Sequence, residues 1–467
     1  MIGAALIIAM LSDRFMLVAL LLALPGVLFL LAGSPLRVLS VIIGLQIVLT
    51  VTQLSSAQLY IGFMAFRVDD LLAIWLFWLW LLSLPDKSMK DVRVGPSGYW
   101  IGGLLILLLL AVQRGFSAGN NPEFIGTQIK TYGAYLFYFP LLWVLASERS
   151  REVLWKVLVS SAALGGFVFM LKGLTGAGEG VYFRDQTGLR IGTRQPNAIG
   201  AVLMMMLGSL WKDWKRRPPL LLILPAILVM GGAIVLSQTR GLWGGILLAL
   251  AAAWILNLFR KDPGVRLGRK MIISITVLAI FIGLVVMTVS TLGIISAADI
   301  AERTGNESGS YITDASVMSR LLSWLAVIER LDSSHALLGR GLGESITYFK
   351  PEVGEVRTMT FVDSSYFQTA LVMGVTGVIF LIGLFISALI RSAKLFLRTR
   401  SSSRAGRVLG IFCAVVMLLF ASGFASPLTN YRFTILWAFI LALLQTEIIL
   451  DRRPTDDRTE SETPEVS

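Results

Sequence analysis

Apolar runs long enough to cross a bilayer recur along almost the entire chain, and they constrain its fold more than any other feature. About thirteen can be marked, near 15–32, 36–52, 68–84, 99–113, 132–147, 153–171, 197–211, 219–237, 241–258, 271–291, 365–389, 406–424 and 431–449. A helix needs roughly 20 such residues to span the hydrocarbon, and each run reaches that length or nearly so with its flanks. Composition excludes a soluble enzyme. Only 15% of the 467 residues are charged, against about 25% in soluble domains, too few to cover a globule of this size. Period-two alternation is absent from the runs, so a transmembrane β-barrel is excluded as well. The chain reads as all-α: a polytopic membrane bundle of about 12–14 helices.

Basic residues set the orientation. Alternate loops carry Lys87, Lys90 and Arg93, then Arg149, Arg151 and Lys156, then Lys212 to Arg217, Arg260 to Lys270, and Arg391 to Arg407. Together with the C-terminal tail they hold 24 of the 41 Lys and Arg, so these loops are expected on the cytoplasmic side. The net charge of +12 is then a topology signal, and no nucleic-acid partner is needed to explain it. The opposite loops, 53–67, 114–131, 172–196, 238–240, 292–364 and 425–430, face outward. This divides the chain into a transmembrane bundle over 1–291, a large outer loop over 292–364 with amphipathic helices, C-terminal transmembrane helices over 365–450, and a polar tail over 451–467 expected to be disordered in the cytoplasm. Residues 2–11 are apolar but too short to span and lack a basic leader, so a cleaved signal peptide is not expected. The number of spans leaves the side of the N-terminus open.

One cysteine, Cys413, and one histidine, His335, exclude an internal disulfide and two-histidine metal sites. No metal or cofactor is expected. The informative residues are outer-side arginines, because the guanidinium fork matches phosphate oxygens in pairs. Arg184, Arg190 and Arg194 precede one span, and Arg303, Arg320, Arg330 and Arg340 lie in the large loop. Arg240 occupies a minimal turn, Ser237-Gln238-Thr239-Arg240-Gly241, between two apolar runs. A charge held there is costly unless it snorkels to headgroups or meets an anion.

Within the large loop, Ser316 to Leu331 places Leu321, Trp324, Leu325, Ile328 and Leu331 at helical spacing. That predicts an amphipathic helix, lying on the outer leaflet, capping a cavity or packed on the bundle. Leu338-Gly339-Arg340-Gly341-Leu342-Gly343 follows. It reads as a tight turn, with a phosphate cradle as the alternative; the strand–loop–helix context of a nucleotide loop is missing. Asp363, before the apolar run that begins near 365, is expected to cap that helix or to act as a general base. Asp69 and Asp70 are expected to cap a helix or to pair with Arg67. His335 lies in a polar turn and is the alternative base.

In their order these segments resemble the O-antigen ligase and polymerase family of membrane glycosyltransferases. The carriers are Phe66-Arg67-Val68-Asp69-Asp70-Leu71, Gly192-Thr193-Arg194-Gln195-Pro196-Asn197, Ser237-Gln238-Thr239-Arg240-Gly241, Ser319-Arg320 with Trp324, Leu338-Gly339-Arg340-Gly341, and Asp363-Ser364-Ser365-Tyr366 followed by Met373-Gly374-Val375-Thr376-Gly377. The resemblance implies a GT-C-like bundle in the bacterial inner membrane with a periplasmic site. It implies an undecaprenyl-diphosphate-linked glycan donor, a saccharide acceptor and inverting transfer without a metal. A flippase and a chain-length regulator are candidate partners. Arg240 and Arg320 match the family's two phosphate-binding arginines, with Arg194, Arg190 and Arg340 as further diphosphate ligands. Asp363 falls where the ligases carry a catalytic His followed by Asn; here the pair is Asp-Ser. Polymerising members vary more at that position, so the resemblance leans to a polymerase over a ligase that attaches polymer to lipid A-core. A lipid-linked polysaccharide flippase, from a different functional class, would place charges at mid-membrane and break helices there. The helix centres here are nearly free of charge.

Overall fold

A computed structural model describes residues 34–52, 59–61, 64–84, 94–175, 181–184, 188–191, 196–212, 220–237, 239–260, 315–351 and 354–452. The chain is an all-α, multi-pass membrane protein. Its helices are α1 (Pro35–Thr52), α2 (Val68–Ser83), α3 (Gly95–Ser117), α4 (Pro122–Gly133), α5 (Tyr138–Leu145), α6 (Glu148–Thr175), α7 (Pro196–Lys212), α8 (Leu220–Leu236), α9 (Arg240–Leu258), α10 (Ala315–Arg330), α11 (Ser365–Arg398), α12 (Ser402–Phe424) and α13 (Tyr431–Asp451). Six described helices are long and apolar enough to span a bilayer, and shorter apolar helices accompany them. The apolar run at 132–147 is met by α5 and a 3-10 turn, Ala134–Phe137, that joins it to α4. The runs at 15–32 and 271–291, and residues 453–467 of the tail, lie outside the described residues.

Polar contacts sort the connections into two faces. On one, Arg260 donates to Thr399 O (2.9 Å), Arg391 to Ser97 Oγ and Gln445 Oε1, and Arg404 to Asp451 Oδ1 (3.1 Å). Glu447, fully buried four residues before the end of α13, takes Arg407 Nε at 2.8 Å and Arg404 Nε at 3.4 Å. Burial of a carboxylate is tolerable only with such partners. This is the basic face. The opposite face carries the end of α3, the α8–α9 turn, the segment from 331 to 364 and the 425–430 turn, all from loops that the charge pattern assigns outward.

Among the described residues, three two-stranded antiparallel hairpins interrupt the helical pattern: β1–β2 (Leu59–Ile61 with Met64–Phe66), β3–β4 (Val181–Arg184 with Gly188–Ile191) and β5–β6 (Ile346–Lys350 with Glu355–Met359). Each falls in a connection expected to be outer. The large loop is therefore not purely helical beyond 315. Its β5–β6 hairpin holds the β-branched Ile346, Thr347, Val356 and Thr358 and the aromatic Tyr348 and Phe349, with Gly354 at φ 69° in the turn, a composition that suits a pleated ribbon.

The core of the bundle is the α7–α12–α9 layer, and glycine makes it. A Cβ on Gly208 would overlap the Gly410 backbone, and one on Gly410 would overlap Met205. On the other side, a Cβ on Gly245 would come within 2.8 Å of Met417 O. Lipid gives helices no hydrophobic drive to associate, so close backbone approach through small residues supplies the packing. Gly410→Val is expected to destabilise the protein by at least about 1–3 kcal/mol, the usual cost of overpacking. A lower midpoint of thermal unfolding in detergent checks this; Gly102→Val, where a Cβ meets nothing within 4 Å, is the control.

Candidate functional site

The hairpin face converges on the end of α12. Ser364, extended at φ −163°, takes the N-cap position of α11, and its Oγ donates to Ser422 O (3.2 Å). The Ser365 N–H donates to Ala425 O (3.0 Å), and Ser365 Oγ accepts from the Leu428 N–H (3.1 Å). The start of α11 is thus stitched to the last turn of α12. Asp363 sits one residue earlier, exposed, so Ser364 rather than Asp363 holds the cap position. The neighbours of Asp363 are fixed: Val362 is buried and its N–H donates to Gln368 Oε1 (2.7 Å). Sequence reasoning missed Gln368; its spacing of four from Ser364 was the available signal.

Arg240 reaches the same place from the other side. It is the first residue of α9, after an extended Thr239. The turn is closed by Ser237 Oγ to Ile234 O (2.7 Å), Thr239 Oγ1 to Ser237 O (3.2 Å) and Trp243 Nε1 to Ile234 O (3.1 Å). A Cβ on Gly241 would come within 3.2 Å of Phe424 Cβ, so the residue after Arg240 abuts the end of α12. A cation in the first helical turn works against the helix dipole. Helix stability therefore gives no reason for arginine here, whereas an anion would be favoured by both the arginine and the dipole. The side chain of Arg240 itself lies outside what is described.

Arg320 comes in on α10, half-buried. One turn later Trp324 stacks on Phe367 of α11, with centroids 5.1 Å apart and planes at 11°. Ala326, Val327, Ile346, Val362 and Leu371 complete a small satellite core. The expected amphipathic helix forms, with its large apolar side chains divided between two sides. Ser319, Ser323, Ala326 and Val327 face inward, while Leu321, Leu325 and Ile328 are exposed. Ala326 and Val327 pack with Ile346 of β5 and Leu371 of α11.

The glycine-rich segment does structural work. α11 is broken at Gly374, φ 69°, and a break within apolar surroundings leaves backbone groups that must be satisfied. Arg340 N–H donates to Leu371 O (2.9 Å) and Gly341 N–H to Val372 O (3.1 Å); Val375 and Thr376 N–H donate to Ala336 O and Leu337 O. Gly339 N–H, Leu342 N–H and Gly343 N–H go to His335 O, Ala111 O and Gln128 Oε1. Every amide from 339 to 343 is used, so this is the structural turn and not a phosphate cradle. A Cβ at Gly339 or Gly341 would strike the backbone of Met373 or Gly115, which is why glycine stands at both.

The remaining candidates are placed as follows. Arg340 Nε donates to Arg330 O (2.6 Å), and its Nη2 lies 3.5 Å from Asp332 Oδ2. His335 Nδ1 is 2.6 Å from Asp332 Oδ1 and 2.8 Å from Ser334 Oγ. These hydrogen bonds, that from His335 first, pull the Asp332 carboxyl down to about 2. Asp70 accepts from the Arg67 N–H (2.9 Å) and pairs with Lys130 Nζ (3.1 Å), a cap with a second partner on α4. Arg184 and Arg190 lie on the β3–β4 hairpin, their side chains outside the described set. Arg194 and Arg303 lie outside the described residues.

With this geometry established, comparison with known families adds one finding. Residues 225–382, running from α8 into α11, match the family model described as O-Antigen ligase. No curated protein matches the chain. The matched span contains Arg240, Arg320, His335, Arg340 and Asp363.

Proposed function

We propose that this chain, which belongs to the O-antigen ligase and polymerase family by its match over residues 225–382, polymerises lipid-linked O-antigen or exopolysaccharide repeat units on its hairpin face. Glycosyl transfer of the ligase and polymerase type is the family's activity. The observation that carries the finer reading is the convergence of Gly241, Ser364 and the Trp324–Phe367 stack around the outer turn of α12 and the start of α11. These contacts involve neighbours of Arg240, Arg320 and Asp363 in the chain, and they support reading the three as one rim.

In the reaction an acceptor hydroxyl attacks the anomeric carbon of the donor. The C–O bond to the diphosphate breaks, and its electron pair stays on the leaving oxygen. Arg240 and Arg320 hold that developing charge at a site of low dielectric, where fixed cations act without reorganising. Asp363 takes the hydroxyl proton as the new bond forms. One base and one displacement give inversion. The undecaprenyl diphosphate donor enters between helices from the bilayer, in the bacterial inner membrane with the hairpin face periplasmic.

A second assignment of the base is favoured by a specific contact. The 2.6 Å Asp332–His335 hydrogen bond engages Nδ1 and leaves Nε2 as the working nitrogen. Both assignments keep the same leaving-group clamp.

Orientation is tested by labelling. Val356 on β6 is 67% exposed, and the native Cys413 is buried, so Val356→Cys gives a single reactive thiol. We expect complete modification by a membrane-impermeant maleimide added outside spheroplasts; modification only after lysis would overturn an outward site. A deletion strain then tests the reaction. Single repeat units without long chains are expected of a polymerase, whereas intact polymer stranded on its lipid carrier would indicate a ligase.

A further inference from the structure

Beside the rim lies a cleft of about 470 Å³ that none of the foregoing roles uses. It opens between the α3–α4 turn and the β5–β6 hairpin, and its walls include Asn120, Asn121, Phe124, Ser345, Thr360 and Phe361. Its lining is uncharged: amides, hydroxyls, two aromatic rings, the Met359 thioether and glycine backbone, with no charged side chain among the described lining residues. Its shape is held from below. Gln128, 1% exposed, accepts from Gly343 N–H (2.8 Å) on one wall and donates to Thr360 O (3.3 Å) on the other. Asn120 Nδ2 donates to Leu342 O (2.8 Å), which leaves its carbonyl oxygen for a ligand. Asn121 spends its Oδ1 on the Glu123 N–H as the cap of α4, which leaves its NH₂ group. The chain leaves the cleft wall at Phe361 and reaches Asp363 two residues later.

We infer that this cleft is a docking site for an uncharged saccharide, the acceptor glycan. The inference rests on the glycosyl-transfer reading above. Sugar hydroxyls both donate and accept, and so are matched by amide and hydroxyl side chains. The apolar C–H face of a pyranose lies on an aromatic ring such as Phe124 or Phe361, which supply flat apolar area. The volume is within the range of small-ligand sites, roughly 300–1,000 Å³, enough for one or two sugar residues. A diphosphate would find no cation there. The cleft therefore suits the partner that brings a hydroxyl, while the arginine rim suits the partner that brings a phosphate.

The test measures binding apart from catalysis. Oligosaccharides freed from the host's lipid-linked pool by mild acid, which removes the diphosphate lipid, are titrated onto the full-length protein in nanodiscs and followed by saturation-transfer NMR. Ser345→Trp, which fills the cleft, and Phe361→Ala, which removes one ring and leaves the Thr360 backbone contact intact, are each expected to weaken binding at least about tenfold. Arg240→Ala and Arg320→Ala should bind the oligosaccharide as wild type does. Absence of binding to wild type, or wild-type binding by both cleft variants when size-exclusion profiles show them folded, would overturn the inference. Failure of the functional reading looks different: the oligosaccharide binds and the cleft variants weaken it, yet the wild-type protein transfers no glycan from any lipid-linked donor.

Discussion

Asp363→Asn is expected to lower transfer of a lipid-linked glycan by about 10²–10⁴-fold, the usual contribution of a positioned general base, with the fold intact. The structure separates the two effects well. Ser364, not Asp363, occupies the N-cap position of α11, and Asp363 is exposed, so replacing its carboxylate by an amide removes no buried contact. A merely structural Asp363 would show wild-type turnover in Asp363→Asn. His335→Ala is the paired variant. Should the Asp332–His335 pair supply the base, His335→Ala loses turnover and Asp363→Asn does not. The pH dependence adds a check. The folded-state value of Asp332 lies at about 2, below its ordinary 3.8. Its contribution to stability is therefore complete above its unfolded value and is lost only as pH falls through about 2. Asp332 stays ionised across the working range, and no limb of the rate profile above pH about 4 belongs to it. Rates measured in nanodiscs for both variants decide between the two bases.

What the sequence made legible follows from which interactions are periodic. Spans such as 99–113, 365–389 and 406–424 are written in local hydropathy, because lipid demands an apolar surface along a whole helix, and α3, α11 and α12 lie where they read. The two-sided placement of charge was equally readable, and Arg260, Arg391 and Arg404 do share one face. The break at Gly374 was not readable. A glycine within an apolar run is common in membrane helices, and only the distant 336–343 segment, which pairs the freed backbone groups, gives it meaning. The inward face of α10 was not readable for a related reason. Its stripe of large side chains fits packing or the outer leaflet alike, whereas the buried side holds Ser319, Ser323, Ala326 and Val327, and the satellite core is drawn from residues scattered between 324 and 371. The cleft is less legible still, because Gln128 and Thr360 meet only through the tertiary fold.

Arg240→Lys and Arg320→Lys should each retain charge and expression while losing about 10²–10³ in turnover, or about 2.7–4 kcal/mol of transition-state stabilisation, as for loss of one preorganised donor. Lysine presents a point charge in place of a planar fork and cannot grip two phosphate oxygens at once. The stronger expectation concerns the pair. The two residues arrive on different helices, α9 and α10, which among the described residues meet the α11–α12 end through Gly241 against Phe424 and Trp324 against Phe367. If each were a snorkelling residue meeting lipid headgroups, Arg240→Ala and Arg320→Ala would both leave turnover near wild type. If both hold one diphosphate, each single loss is large and the double variant falls short of the sum, because the second arginine cannot place a leaving group that the first no longer holds. Dependence on position rather than on charge is then seen by comparing Arg330→Ala. Arg330 ends α10 on the same face, 47% exposed and 3.9 Å from Glu344, so its removal takes away equal charge outside the rim and should leave turnover within about twofold of wild type. A loss at Arg330 as large as at Arg320 would mean that the face acts only through its summed charge, and the clamp assignment would fail.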